Sequence, residues 1–495
     1  MSSQLSDRHR TRALLARADL STVGPVDRAR LLLVSDNAAF EPDEPQRRIH
    51  EMTTTAVAAA EAGSRVAAEN LLWRAAARCF FQDADATTRA DVAAALDRWD
   101  ADPDNPVVLS VRAYAEPYRH GADVVARLAA STADRQDGRM MHFLGTAAMV
   151  LGDFTGSARY LPQAATIWRA QGRLGLLARS LAGAWPRFYL GQLDRARADA
   201  AEGLALALET DEALAELGLR ATSGLVAVNR GETELAQRMV RELRASPLFA
   251  GMRFATVMTQ QVDGLLALLG GRPAEAYELL ARVFDPADPH YHLSSRWLVA
   301  PDLADAAVAA GAVEQARELV TELPDLARRL PSEMMVMAKV YADAVLAGDD
   351  EAEHCYATAL AALPPQLQLV RARLHLHHGR WLRRQRRNLH ARVPLRTARN
   401  EFDRLGARPW AELAREQLRA TGESSDQHLP SPSEILSAEE LQIVELAAQG
   451  FSNREIGERL FMSHRTVGSH LYRIFPRIGV TSRRQLAAAL AGSQP

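Results

Sequence analysis

Between residues 45 and 420 the apolar side chains recur at helical spacing, segment after segment, and predict a chain of helices. A longer period lies over this one. Gly191 is followed five residues later by Ala196, Gly231 by Ala236, Gly271 by Ala276 and Gly311 by Ala316, with successive glycines 40 residues apart. Gly152 with Ser157 extends the series upstream, while Gly348 extends it downstream less well because Glu353 stands where a small residue is expected. Gly63 with Ala68 and Gly121 with Ala126 repeat the pair out of phase. Such a pair suits a helical hairpin. The glycine ends the first helix in a left-handed cap, and the small residue lets the second helix cross closely. Between 264 and 284, Leu265, Leu266, Leu269, Ala276, Leu279 and Leu280 supply the apolar faces.

A fixed period of this kind predicts an all-α solenoid, and it resembles tetratricopeptide-type repeats with a longer period. The alternative is a non-repetitive helical domain whose glycines cap helices at chance spacings. Stacked hairpins create a groove able to hold a ligand or a protein, whose identity is unknown from the sequence. Residues 1–44 read as a polar N-terminal segment, 45–420 as the repeats, 421–433 as a proline-interrupted linker, and 434–495 as a separate module.

In that module short apolar runs are set off by caps. Ser437 with Glu440 opens a first helix, whose apolar face includes Leu441, Val444 and Ala448, and Gly450 ends it. Ser452 with Glu455 opens a second, Asn453 to Leu460. Gly457 sits inside it despite the helical cost, which predicts close packing against the next helix. After the turn Phe461-Met462-Ser463, Ser463 caps a third helix, and Ser482 with Gln485 opens a fourth. Val467, Leu471, Ile474 and Ile478 should face the core. Thr466, His470, Arg473 and Arg477 form one polar stripe, and Arg465, Ser469 and Tyr472 another. Two short helices joined by a tight turn make a helix-turn-helix, whose second helix enters the major groove of double-stranded DNA. The Ser463 hydroxyl and the free amides beside it suit a phosphate.

Charge supports this. The net charge of −2 excludes a polybasic coat, so DNA binding has to come from a local patch. After Glu458 no acidic residue follows, yet Arg459, Arg465, Arg473, Arg477, Arg483 and Arg484 do. A second basic run, Arg371 to Arg399, holds ten arginines and no acid, with His375, His377, His378 and His390 nearby. A solvated basic face is the preferred reading, ahead of a phosphate-contacting surface; the histidines lack the second ligand group of a zinc site. The one lysine, Lys339, has no glycine loop before it, so there is no P-loop for ATP. Cys79 and Cys355 read as buried free thiols. No catalytic motif, receiver pattern, signal peptide or membrane-spanning apolar run is found, so the expectation is a cytoplasmic, non-enzymatic protein without cofactor, metal or membrane partner.

Two stretches, Gln449-Gly450-Phe451-Ser452-Asn453-Arg454-Glu455-Ile456 and Ser463-His464-Arg465-Thr466-Val467-x-x-His470, lie inside a match that resembles the LuxR-type DNA-binding module nearly end to end. The resemblance implies a four-helix domain that dimerises through its last helix, here Ser482 to Ala491. It implies base contacts from Gly468, Ser469 and Tyr472 and phosphate contacts from Asn453, Arg465, Thr466 and Arg473; Arg454, Ser463, His470 and Arg477 complete the expected DNA-binding set. Two positions depart. Residue 468, often lysine in the family, is glycine, and residue 476, often basic, is proline, which is expected to end or kink the third helix early. Phe402 to Glu412 and Arg419 to Gly422 resemble the approach to this module in the large LuxR-type regulators of actinomycetes, which usually carry an N-terminal ATPase. Here that part and its P-loop are missing; a natural short form and a start internal to a longer gene both fit. The implied function is a DNA-binding transcription regulator controlled through its helical repeats. The alternative, motivated by Gly468 and Pro476, is an interaction scaffold with weak or lost sequence specificity.

Overall fold

The structure is a computed structural model that describes residues 23–38, 44–98, 102–131, 137–423, 436–460, 462–477, 480, 483 and 486. Among these every regular element is a helix. The chain divides into two compact units, Met1–Gln417 and Leu418–Pro495. None of the described helices is long and apolar enough to cross a membrane.

The first unit is a helical-hairpin solenoid. Gly152, Gly191, Gly231, Gly271 and Gly311 all have positive φ, between 72° and 79°. That backbone turn is open to glycine at little cost and strained for most other residues. Five residues after each, Ser157, Ala196, Ala236, Ala276 and Ala316 are fully buried at the helix crossing. Gly63 and Ala68 follow the same rule. Gly121 does not. It lies inside the helix Pro117–Ala130, where a Cβ would come within 2.7 Å of Leu330. Its constraint is close packing rather than a cap. Two more hairpins escape the glycine series: Gly406 has φ 68° with Ala411 buried beyond it, and Arg386 adopts φ 58° with Ala391 buried beyond it.

The first helices of neighbouring hairpins pack on one another, Ala213–Arg230 on Arg253–Leu269 and that helix on Arg296–Ala310. The coil then closes on itself. Tyr118 bonds to the Leu293 carbonyl, Thr155 to Glu333 and Trp410 to Asn229, across 175, 178 and 181 residues of chain.

The helical unit also begins before residue 45. The helix Pro25–Ala38 buries Ala29 and Leu32 against the next two helices. Its Asp36 is fully buried between Arg74 and Arg78, with Arg78 Nε donating at 2.8 Å. The apolar residues of this segment cluster in one run, Leu31 to Val34, rather than recurring at helical spacing, and the ion pair that ties it to the next hairpin is formed across the fold.

The basic run 371–399 is a solvated face only in part: Arg384, Arg386 and Arg396 are exposed, while other arginines of the run are engaged by the fold. Arg373 is buried, with Nη1 2.7 Å from Asp302 and Nη2 2.7 Å from Asp305, and its guanidinium lies over the Trp410 ring. Arg371 donates to the carbonyls of Leu360 and Leu363, and Arg387 pairs with Glu353. His377 lies 2.8 Å from Asp305, and His378 stacks on Tyr356. Carboxylates from other helices thus hold Arg373 and Arg387, and backbone carbonyls hold Arg371. Of the two thiols Cys79 is buried and Cys355 is half-exposed.

Candidate nucleic-acid interface

The second unit is built around Leu436, Ile443, Val444, Ala447, Ile456, Val467, Leu471, Ile474, Val480 and Leu486. The first helix runs Ala438–Ala448, and its capping box is complete: Ser437 Oγ accepts from the Glu440 amide at 3.2 Å, and Glu440 Oε2 accepts from the Ser437 amide at 3.0 Å. Gly450, at φ 94°, ends it. The second helix, Asn453–Leu460, opens on the equivalent Ser452–Glu455 box, and these hydrogen bonds hold the Glu455 carboxyl below its usual range. A Cβ on Gly457 would lie 2.5 Å from the Met462 carbonyl oxygen, so the turn leading to the third helix crosses directly over this glycine.

The third helix spans His464–Arg477 and runs through Pro476, one residue short of its end. Val467, Leu471 and Ile474 face inward; Ile478 lies outside the described residues. The opposite side holds the expected contacts. Tyr472 is 83% exposed, a large aromatic side chain presented to solvent. Arg465, Ser469 and Arg473 are exposed beside it, and His470 is half-buried, with Nδ1 3.4 Å from Arg473 Nη2. Ser463 spends its oxygen on the cap, accepting from the Thr466 amide at 3.1 Å and sharing a hydrogen bond with the Thr466 hydroxyl at 2.8 Å. Both hydroxyls thus stand at the helix N-terminus, where backbone amides and the helix dipole favour an anion. Arg477 ends the helix and its side chain lies outside the described residues.

Two expected contacts have other engagements. Arg454, on the second helix, is exposed but paired with Glu458 at 3.1 Å. Asn453 Oδ1 accepts from Arg483 at 2.8 Å, and Arg483 also bonds the Phe451 carbonyl. Arg483 therefore straps the entry of the second helix to the segment after the third. Sequence reading counts it only as one more positive charge, since nothing local reveals a partner 30 residues away. The strap leaves the Asn453 amide nitrogen beside Gly468, 3.4 Å from where a Cβ would stand. Arg459 lies over the Phe451 ring at 3.9 Å. The expected fourth helix, Ser482 to Ala491, lies outside the described residues apart from Arg483 and Leu486.

Comparison with known proteins agrees with this geometry. Residues 434–490 match the family described as bacterial regulatory proteins, luxR family. The oxygen regulatory protein NreC of Staphylococcus aureus, in strains JH9 and NCTC 8325 / PS 47, is 44% identical over 55 residues, 11% of this chain and 25% of the relative. The chain thus spans about a quarter of the length of the curated relatives it matches. A crystal structure of Rap protein complexed with competence and sporulation factor aligns with 76% of this chain and 98% of its own, at 10% identity and TM-score 0.45. Residues 434–490 are a LuxR-family DNA-binding helix-turn-helix domain.

Proposed function

We propose that the chain, carrying this LuxR-family domain, is a transcription regulator of the bacterial cytoplasm that binds double-stranded DNA as a homodimer. Its helical unit acts as the sensing or docking part. The observation that supports DNA recognition most directly is the outer face of the third helix. Arg465, Ser469, Tyr472 and Arg473 are exposed there, and no acidic residue follows Glu458 to repel a phosphate. Arg465, Arg473 and Thr466 are assigned to phosphates, together with the Asn453 amide nitrogen and the capped N-terminus at Ser463. Ser469, Tyr472 and the backbone at Gly468 are assigned to base edges. Arg454, already paired with Glu458, contributes less than its charge suggests. Pairing through the segment Ser482 to Ala491 would place two third helices on adjacent half-sites.

The test is a fluorescence anisotropy titration of promoter fragments at several salt concentrations. Arg473→Ala is expected to weaken binding to all sequences and to shallow the log–log salt slope by about 0.9. Tyr472→Ala should change the ranking of sequences with little change in slope. Equal effects of both variants on every sequence would contradict the assignment. Binding that discriminates no sequence would instead favour a scaffold, the reading that Gly468 supports by offering no side chain to the groove.

A further inference from the structure

Two patches on the helical unit complement each other. The first is the hairpin corner between the helices Gln368–Arg384 and Asn388–Leu405, turned by Arg386 at φ 58°. From Arg384 to His390 every residue except half-buried Arg387 is exposed, so this corner projects from the surface. The helix that follows it buries Ala391, Pro394, Leu395 and Ala398. Its other side carries Leu389 and Val393, one turn apart and 71% and 67% exposed, the two most exposed aliphatic side chains among the described residues. Exposed Arg384, Arg386 and Arg396 flank them in the chain. The apolar pair gains nothing from water or from a phosphate. It gains from an apolar surface, and the arginines select one that also carries carboxylates.

The second patch is a cleft of about 760 Å³ among the helices Arg65–Phe81, Pro106–Ala115, Pro117–Ala130 and Gly138–Leu151. Val66, at 64% the next most exposed aliphatic side chain, belongs to its lining together with Val107 and Met140. The charged lining sets Glu69, Asp102, Asp104 and Asp123 against Arg127 and Arg139. Arg127 is engaged by Asp104 and Asp123, at 2.7 and 2.9 Å, while Arg139 bonds Asn70 and lies over the Phe143 ring. Among the described residues Glu69 forms no ion pair, and burial holds its carboxyl above its usual range against the pull of Arg65 and Arg139. The cleft is thus negative, partly apolar, and bordered by a carboxylate without a cation of its own.

We propose that the projecting corner of one chain docks in this cleft of a second copy. Leu389 and Val393 meet Val66 and the apolar part of the lining, and Arg384 and Arg386 face the carboxylates. Each copy carries both patches, so two copies related by a two-fold axis make the contact twice. This contact is separate from pairing through Ser482 to Ala491, and it does not rest on the DNA-binding reading.

The whole chain, labelled with a donor or an acceptor fluorophore, is diluted without DNA, and the dimer dissociation constant is read from energy transfer. The segment Ser482 to Ala491 is the same in every chain, so association through it cancels between them. Arg384→Glu with Arg386→Glu reverses the corner, and Asp104→Arg with Asp123→Arg reverses the cleft; all four positions are exposed. Either reversed chain alone is expected to associate about tenfold or more weakly than the native chain, because both contacts then bring like charges together. Mixing the two reversed chains sets opposite charges at both contacts and should return the constant to within about threefold of the native value. Misfolded chains would not recover on mixing, so recovery also reports folding. Leu389→Ser with Val393→Ser should weaken association at high salt as well as low, since salt screens charges and not apolar burial. The proposal is overturned by reversed chains that associate as the native chain does, by a mixture no tighter than its components, or by an unchanged constant for the serine variant. A corner-reversed chain that keeps its self-association but loses DNA affinity overturns it too, and makes the corner a phosphate contact.

Discussion

The two units use the same residue in opposite ways. In the helical unit several arginines are drawn inside or tied to carboxylates: Arg373 between Asp302 and Asp305, Arg74 and Arg78 around Asp36, Arg387 on Glu353. In the LuxR-type domain Arg465 and Arg473 stand exposed on a helix followed by no acid at all. The helical unit has the denser run of arginine in sequence, yet the domain has the freer positive face. A charge run becomes a binding surface only where the fold brings no carboxylate to it.

The largest effect that could break this contrast is expected at Arg373. Besides its two carboxylates, it sits over Trp410, whose indole donates to Asn229 at 2.9 Å, while Tyr341 donates to Asp305 at 2.6 Å and Gln261 to Asp302 at 2.7 Å. Arg373→Ala leaves two buried carboxylates without their cation and should cost about 3–5 kcal/mol. Urea unfolding followed by circular dichroism reads it. A loss under about 1 kcal/mol would mean that Arg373 is paired no more strongly than a surface arginine. The next effect is expected at Arg483, the arginine of the DNA-binding domain that is used as those of the helical unit are. Arg483→Met removes two charged hydrogen bonds and should cost the domain about 2 kcal/mol. DNA affinity should fall by more than loss of one distant charge explains, because Asn453 loses its anchor.

These cases also mark what a sequence can and cannot show. The glycine series and the serine-glutamate boxes were readable because a left-handed cap or a capping box is made by residues within a few positions of one another. The inward line Val467, Leu471, Ile474 was readable for the same reason. Arg386 hid a hairpin because it occupies the left-handed position normally marked by glycine. Gly121 mimicked one because a glycine required for close packing carries the same letter as a cap. The partners of Asp36, Arg373 and Arg483, and the closure of the coil on itself, depend on contacts from about 30 to 180 residues apart, which periodicity does not encode. For the candidate interface, the exposed face was legible; the prior engagement of Arg454 and Asn453 was not.

A smaller effect should confine pH sensitivity to the helical unit. Burial, with Arg179 nearby, pushes His142 down to about 4; burial, with Arg371 and His378 nearby, does the same to His375. The unfolded chain binds these protons near pH 6.5 and the folded unit does not, so stability is full above that value and falls as the pH drops toward 4. Unfolding free energies from urea titrations at pH 7 and pH 5 should differ by about 1–2 kcal/mol for each of these histidines, and His142→Gln with His375→Gln should reduce the difference. Asp305, held low by Arg373 and His377 against the opposing effect of burial, acts only below the usual carboxylate range and so does not blur this window.

The smallest effect sharpens the contrast from the side of the DNA-binding domain. Gly468 lies on the third helix, where a Cβ would touch the Asn453 amide nitrogen at 3.4 Å, an ordinary contact. Its φ is not in the left-handed region, so no backbone constraint demands glycine. Gly468→Lys should therefore fold, gaining slightly in helix propensity, and should place a cation beside a face that no carboxylate neutralises. DNA affinity should rise a few-fold at low salt, with the salt slope steeper by up to about 0.9. An unchanged slope would mean that this part of the helix does not approach the duplex, and the assignment of Gly468, Ser469 and Tyr472 to the groove would have to move with it.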